Sequence, residues 1–451
     1  MVTAAPSELA LGLTERALTY AQERGPDQAE VLYLGEDSAL TRFANSEIHQ
    51  NVAESNATVN VRMVFGTRVG VASTNRLDEE GLRRVAEAAE ALSRLSEENP
   101  DFRSLPEPVP IESAAGAFAA STAASTPEAR AAGARALIGV ADSLGVRAFG
   151  SFSTSIDTIA VATSLGIRAH QASTRAHVTT VAMGDDGEAG WAETVAVDVD
   201  RVDPEAVGRE AAQRAARSRG AASLEPGDYQ VVLEPYAVSD IVETIAYLGF
   251  SALAVQEGRS FYEPGKHIGA PLVSIWDDGH DPEGLPLAFD FEGVAKQRVE
   301  LIRDGHAVDL VYDSLTAGKE GKRSTGHALP APNPWGPFAI NLAMAPGEAS
   351  RDDLVRGMER GLLVTRFHYT NPVHPKRAIV TGMTRDGTFL VERGEVVGPV
   401  RNLRFTQSYL DALAGVEAVS RERQLLRGYF TSLLVPAVRI GAFTFTGATE
   451  F

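Results

Sequence analysis

The sequence predicts an α+β protein of two domains, an N-terminal α/β domain over residues 1–223 and a mostly β domain over 224–451. Three observations lead there. A chain of 451 residues has room for two to three domains at roughly 150 residues each. Up to Gly220, helical patterns alternate with short β-like runs, and beyond it strand-like runs separated by turn signals dominate. Within the first half, the order helix, strands, helix occurs twice at an offset of about 120 residues, which suggests a degenerate tandem repeat.

Ser7 to Arg24 reads as the first helix, with Leu11, Leu13, Ala17, Leu18 and Ala21 favouring one side and Gly25 as its C-terminal cap. Strands are expected at Ala29 to Leu34, Ala39 to Phe43, Ala57 to Val64 and Arg68 to Ala72, with Asn45 and Gly66 at turns. Asp78 then opens an Ala/Glu/Arg-rich helix to about Glu98. Residues 112–125, mostly Ala, Ser, Thr and Gly, form a low-complexity connector. Thr126 and Pro127 restart a helix in N-cap and first-turn order, where a missing proline N–H costs nothing, and Gly145 ends it. Strands follow at Phe152 to Thr154, Ile156 to Thr163, Ile167 to Gln171, Ala176 to Met183 and Glu188 to Val197, and Pro204 opens another helix.

In the second domain one apolar helix is expected, over Tyr236 to Leu253. Strands are expected at Tyr229 to Leu233, Leu272 to Trp276, Val299 to Arg303, Ala378 to Thr381, Thr388 to Val391 and Ala442 to Thr446. Asp304-Gly305, Asp386-Gly387 and Arg393-Gly394 mark turns.

Composition narrows the function. With 60 Asp+Glu against 42 Lys+Arg, a net charge of -18, a broad polyanion-binding face is disfavoured and no nucleic-acid partner is expected. The absence of cysteine excludes disulfides, thiolate zinc sites, iron–sulfur clusters and a cysteine nucleophile. No apolar run approaches the ~18 residues of a membrane span, and the N-terminus lacks the features of a secretory signal. A cytoplasmic location without a membrane partner is expected.

No catalytic constellation emerges from the residues alone. None of the nine histidines lies in HExxH or HExxxH, the spacings that put two imidazoles on one helix face. His368 and His374 fall in a segment that Pro372 and Pro375 keep from being helical. The acidic run from Asp277 to Glu283 lacks the alternating carboxylates of a calcium loop and reads as a solvated turn. Asp290 and Glu292 would share one face on a strand, as an acid/base pair would require, but a structural turn is the favoured reading. The glycine-rich run from Gly318 to Thr325 fails the phosphate-loop pattern, because Arg323 follows Gly321-Lys322. There is no GxSxG elbow.

Several runs in order along the chain nevertheless resemble the TldD/PmbA family, peptidases once called modulators of DNA gyrase. They are Thr41 to Gln50 (TRFANSEIHQ), Phe65 to Gly70, Phe291 to Val294 and Asp304-Gly305. Thr325 to Ala328, Asn341 to Gly347, Arg360 to Thr365, Glu392 to Val396 and Pro399 to Asn402 complete them.

The resemblance implies a barrel-like C-terminal domain and two kinds of subunit. TldD-like subunits carry HExxxH on a helix just after the strand that opens this domain, with a later cysteine as third zinc ligand. The corresponding stretch here, Val231 to Leu253, has no histidine, and Glu243 alone cannot hold zinc. The resemblance is therefore to the TldE/PmbA branch: no catalytic residue, metal ligand or cofactor in this chain, zinc in a TldD-like partner, and an extended peptide as substrate. Arg366, His368, Tyr369, Asn371 and Arg385, on polar loops, are the expected peptide-binding residues. Two alternatives stand beside this reading. One is a self-sufficient metal-dependent homodimer using His368, His374, Asp290 and Glu292; the other is a stand-alone peptide-binding module.

Overall fold

A computed structural model describes residues 7–429 and 431–449. The first half contains α1 (Ser7–Gln22), β1 (Gln28–Ala44), β2 (Glu47–Phe65), β3 (Arg68–Thr74), α2 (Glu79–Leu95) and the short α3 (Ala120–Ala123). It continues through α4 (Pro127–Ser143), β4 (Arg147–Thr163), β5 (Arg168–Met183), β6 (Ala189–Ala196) and α5 (Pro204–Arg217). The strands form one antiparallel sheet in the order β3-β2-β1-β4-β5-β6.

The tandem repeat is present: α1-β1-β2-β3-α2 is followed by α4-β4-β5-β6-α5, and the halves join where β1 pairs with β4. A glycine marks the same place in each half. A Cβ on Gly70 of β3 would lie 2.2 Å from Ser93 N of α2, and one on Gly190 of β6 would lie 2.1 Å from Ala211 O of α5. Only a residue without a side chain lets each helix lie this close to its edge strand. The helices start as their sequences dictate. Asp78, Thr126 and Asp203 each accept a bond from a first-turn N–H, and Pro127 and Pro204 occupy the first turn.

The strands are longer than expected. Ala29 to Leu34 and Ala39 to Phe43 belong to the single strand β1, and Phe152 to Thr163 to the single strand β4. The polar Gly35-Glu36-Asp37-Ser38 looks like a gap in sequence, yet it pairs residue for residue with β2 and β4. The connector is not a free tether, since Thr174 of β5 accepts from Ala119 N at 2.8 Å and donates its own N–H to Ala117 O at 2.9 Å.

The second half comprises β7 (Gly227–Leu233), α6 (Pro235–Gly249), α7 (Ala252–Gln256), β8 (Ile275–Asp277), β9 (Val299–Arg303), β10 (His306–Ala307) and α8 (Ser314–Lys319). Then come β11 (Asn341–Met344), α9 (Arg351–Arg356), β12 (Arg360–His374), β13 (Ile379–Glu392), β14 (Glu395–Pro399) and β15 (Leu403–Ser408). The last elements are α10 (Tyr409–Ala414), β16 (Val416–Arg427) and β17 (Ser432–Ala448). Pairing runs β17-β15-β13-β12-β7, and β7 pairs back onto β17, so these five strands close a barrel. Beyond β17 the sheet extends through β11, β8, β9 and β10, and β16 forms a hairpin with β17. Phe367, Phe405 and Phe443 pack together in the barrel core, with ring centroids 4.6–5.4 Å apart.

Three expectations change here. Asp386-Gly387 does not separate two strands; both residues take positive φ inside the continuous β13 and bend it. Residues 270–273 turn (Val273 N to Ala270 O, 2.9 Å) before β8 begins. The helix from Tyr236 breaks after Gly249, where Phe250 and Ala252 instead exchange backbone bonds with Val311.

A buried ionic tie joins the two halves. Arg62 of β2 bonds Glu30 of β1 and reaches Glu292 Oε1 at 3.0 Å, and the same oxygen accepts from Ser314 Oγ at 2.7 Å. A second buried cluster lies within the C-terminal half: Asp277 accepts from Lys296 Nζ at 2.7 Å, His327 Nε2 at 2.8 Å and Asn341 N at 2.7 Å.

Candidate functional site

The helix that follows β7 is apolar on all sides but one. Tyr236, Ala237, Val238, Ile241, Val242, Ile245, Ala246 and Leu248 are buried, whereas Ser239, Asp240, Glu243 and Thr244 are half-buried and Tyr247 is exposed. Positions 239, 240, 243, 244 and 247 recur at helical spacing, so α6 presents one polar stripe out of the core. Pro235 in the first turn starts the helix, and the Glu234 carboxylate before it is held by Arg214 Nη2 at 2.5 Å.

Both carboxylates of the stripe are occupied by hydroxyl and amide donors. Asp240 accepts from Thr370 Oγ1 at 2.6 Å and Tyr409 OH at 2.5 Å. Burial pushes its pKa up to about 6, against the lowering effect of those two bonds. Glu243 Oε1 accepts from Thr431 Oγ1 at 2.6 Å and Tyr429 N at 3.0 Å, which fastens the turn between β16 and β17 to the helix. A catalytic zinc requires three protein ligands around an open position. This stripe offers two carboxylates already engaged and no imidazole or thiolate, and no group of three His, Cys, Asp or Glu able to hold a metal occurs among the described residues. The residues present do not fit a zinc centre.

Thr431 joins the stripe to a cleft of about 320 Å³ between the two halves of the molecule. One wall is Asp157 of β4 with Ser173, Thr174 and Arg175 of β5; the other is Arg427 with Gly428, Tyr429, Thr431 and Ser432. Asn341 and residues 285–287 lie between them. The cleft is lined by polar and apolar groups alike, it straddles the domains, and it opens beside the exposed Tyr429.

The five expected peptide-binding residues do not converge on one site. Arg366 and Arg385 face each other across β12 and β13, with the Asp386 carboxylate bound to Arg366 Nε at 2.5 Å and the Trp191 ring 4.2 Å beneath the guanidinium. His368 follows on the same strand; partial burial and the neighbouring Arg385 and Arg366 push its pKa down. Arg385 and Asp386 line a separate cleft of about 630 Å³ with Gly187, Glu188 and Arg401. Tyr369 and Asn371 sit exposed at an irregularity within β12, where the pairing with β13 shifts register and Asn371 Nδ2 donates to Tyr369 O at 3.0 Å. Thr370, between them, is the residue that reaches α6.

The other carboxylates have structural partners. Residues 289–293 form a turn, not a strand: Asp290 Oδ1 accepts from Glu292 N and Val294 N, and Oδ2 from Ala328 N. Asp290 and Glu292 are thus a turn former and an ion-pair member, and the His368, His374, Asp290, Glu292 ligand set is not assembled among the described residues. Asp240, Thr370, Tyr409, Tyr429 and Thr431 were not singled out in sequence. The polar stripe on α6 was the available signal, since its 239/240/243/244/247 spacing is written in the chain.

Residues 29–93 match the PmbA/TldA metallopeptidase domain 1, residues 106–219 its central domain and residues 226–447 its C-terminal domain. A metalloprotease of Synechocystis sp. is 27% identical over 208 residues, 43% of this chain and 42% of that protein. A zinc metalloprotease TldD homolog of Saccharolobus solfataricus is 24% identical over 218 residues, 45% of this chain and 46% of that protein. The matched segments thus span less than half the length of these curated relatives. Among solved structures, TldE from Thermococcus kodakarensis superposes with a TM-score of 0.88 at 19% identity, covering 96% of this chain and 100% of that one. A putative modulator of a DNA gyrase from Thermotoga maritima superposes with a TM-score of 0.86 at 19% identity, covering 96% of this chain and 99% of that one. With both sheets, the closed barrel and all three domain matches in place, the chain belongs to the TldD/PmbA metallopeptidase family.

Proposed function

We propose that this chain is the non-catalytic, TldE-like subunit of a heteromeric zinc metallopeptidase that processes unfolded peptides in the cytoplasm. The observation that supports this reading is the polar stripe of α6. On the helix that carries HExxxH in a TldD-like subunit, Asp240 and Glu243 bind Thr370, Tyr409, Tyr429 and Thr431, where a catalytic subunit would present imidazoles. The carboxylates act as struts, fixing the β12–β13 hairpin and the β16–β17 turn around an open polar face. A TldD-like partner supplies the zinc and the hydrolytic water, and this chain supplies walls and peptide-binding groups. An extended peptide suits such a role, because backbone pairing accepts any sequence while a narrow enclosure excludes folded proteins.

Co-expression with a TldD-like chain tests the proposal. The two chains are expected to co-purify in equal amounts, with zinc bound in the complex and absent from this chain purified alone. Failure to co-purify, or stoichiometric zinc in the lone chain, would reject it.

A further inference from the structure

The cleft between the two halves contains two cations, Arg175 and Arg427, of which Arg175 has carboxylates at ion-pair distance. Arg175 on β5 has Asp157 Oδ2 at 3.6 Å and Glu36 Oε1 at 3.8 Å, both beyond ordinary hydrogen-bond length. Arg427, at the end of β16, makes no side-chain hydrogen bond or ion pair among the described residues. Its surroundings place it against the N-terminal domain. Burial and Arg175 push its pKa down, while Asp157, Glu36 and Glu193 oppose that shift. Two guanidiniums in one cleft repel each other, and an anion between them would turn that repulsion into a pair of charge-assisted hydrogen bonds. Asn341 adds a second observation. Its side chain lines the cleft and is 8% exposed; Nδ2 donates to Leu285 O at 2.9 Å, but Oδ1 has no hydrogen-bond partner. An unfilled acceptor in the same cleft as two cations fits a ligand that offers an N–H next to a carboxylate.

We propose that this cleft is a carboxylate subsite for unfolded peptide, with Arg175 and Arg427 holding the carboxylate and Asn341 Oδ1 accepting a peptide N–H. The inference rests on the peptide-binding reading above and goes beyond it by naming an acidic group as the determinant. Either the C-terminal carboxylate or an Asp/Glu side chain supplies the same chemistry. Because Thr431 lines the cleft and also bonds Glu243, a peptide gripped here lies beside the open face of α6.

The test uses a fluorescent, unstructured ten-residue peptide in three forms: free C-terminus, C-terminal amide, and C-terminal amide with Asp as the last residue. Binding to the full chain is followed by anisotropy. At least one carboxylate-bearing form is expected to bind about tenfold tighter than the neutral amide, the scale of a charge-assisted bond. Comparison of the free acid with the Asp-amide tells which source is preferred. Arg427→Gln is expected to erase that ratio, and Arg175→Gln to do the same. Equal affinities for all three forms, or a ratio that survives both substitutions, would overturn the carboxylate subsite and leave peptide binding standing. No measurable binding of any form would overturn both.

Discussion

Replacing Arg62 by Met is the perturbation whose cost the structure specifies most closely. Arg62, Glu30 and Glu292 have side-chain exposures of 11%, 4% and 7%, and Arg62 is the cation bonded to both carboxylates. Removing one member of a buried ion pair leaves an uncompensated charge and costs about 3–5 kcal/mol. The loss depends on pH. Burial pushes Glu30 up from 4.5 to about 7 even with Arg62 beside it. The folded state therefore holds its proton more tightly than the unfolded chain, and this contribution is complete below about pH 4.5 and lost as pH rises through about 7. A shift of that size corresponds to roughly 3 kcal/mol. Without Arg62 the Glu30 pKa rises further, so the variant loses most near pH 8, where Glu30 must either hold a proton against the solvent pH or carry a buried charge that has lost its partner, and least near pH 5, where Glu30 is protonated with or without Arg62. Urea unfolding followed by intrinsic fluorescence at the two pH values reads this difference, and adding Glu30→Gln and Glu292→Gln is expected to restore much of the loss. A destabilisation below about 1 kcal/mol near pH 8, the range of a surface pair, would refute the reasoning, as would equal losses at both pH values.

The other predictions concern the repeat and the α6 stripe. Gly70→Ala and Gly190→Ala each force a helix off its edge strand, and each is expected to cost about 1–3 kcal/mol in thermal or urea unfolding, the range for overpacking. Glu243→Gln weakens the two bonds to the β16–β17 turn, so hydrogen exchange at the Tyr429 amide is expected to accelerate while amides in β1 and β4 stay unchanged. Asp240 has its folded pKa raised to about 6, so its contribution is complete below about pH 3.8 and lost as pH rises through about 6. Asp240→Asn is expected to flatten that part of the stability–pH profile, and an unchanged profile would contradict the assignment.

What the sequence made legible follows from how local each signal is. Caps and turns are local, so Asp78, Thr126-Pro127 and Pro204 marked their helices, and Asp304-Gly305 and Arg393-Gly394 marked their turns. The repeat was legible as an order of elements because its spacing survives where residue identity does not. Barrel closure was legible only through the family resemblance, because it depends on β7 pairing in parallel with β12 and antiparallel with β17, more than a hundred residues away. The same distance hid the site. Tyr409 and Thr431 reach α6 across 169 and 188 residues, and Arg62 reaches Glu292 across 230. Arg366 and Arg385 were chosen for lying on polar loops, but they belong to paired strands, where both meet Asp386 and Arg366 also covers Trp191.

The central claim is that this chain shapes the enclosure and a TldD-like partner performs the cleavage. Peptide hydrolysis measured with this chain alone, with the partner, and with a partner whose zinc-binding histidines are replaced tests it most directly. No cleavage by the lone chain, zinc-dependent cleavage by the pair, and loss of that cleavage when the partner's motif is removed are expected. Chelator-sensitive cleavage by this chain alone, or cleavage that survives loss of the partner's motif, would contradict it.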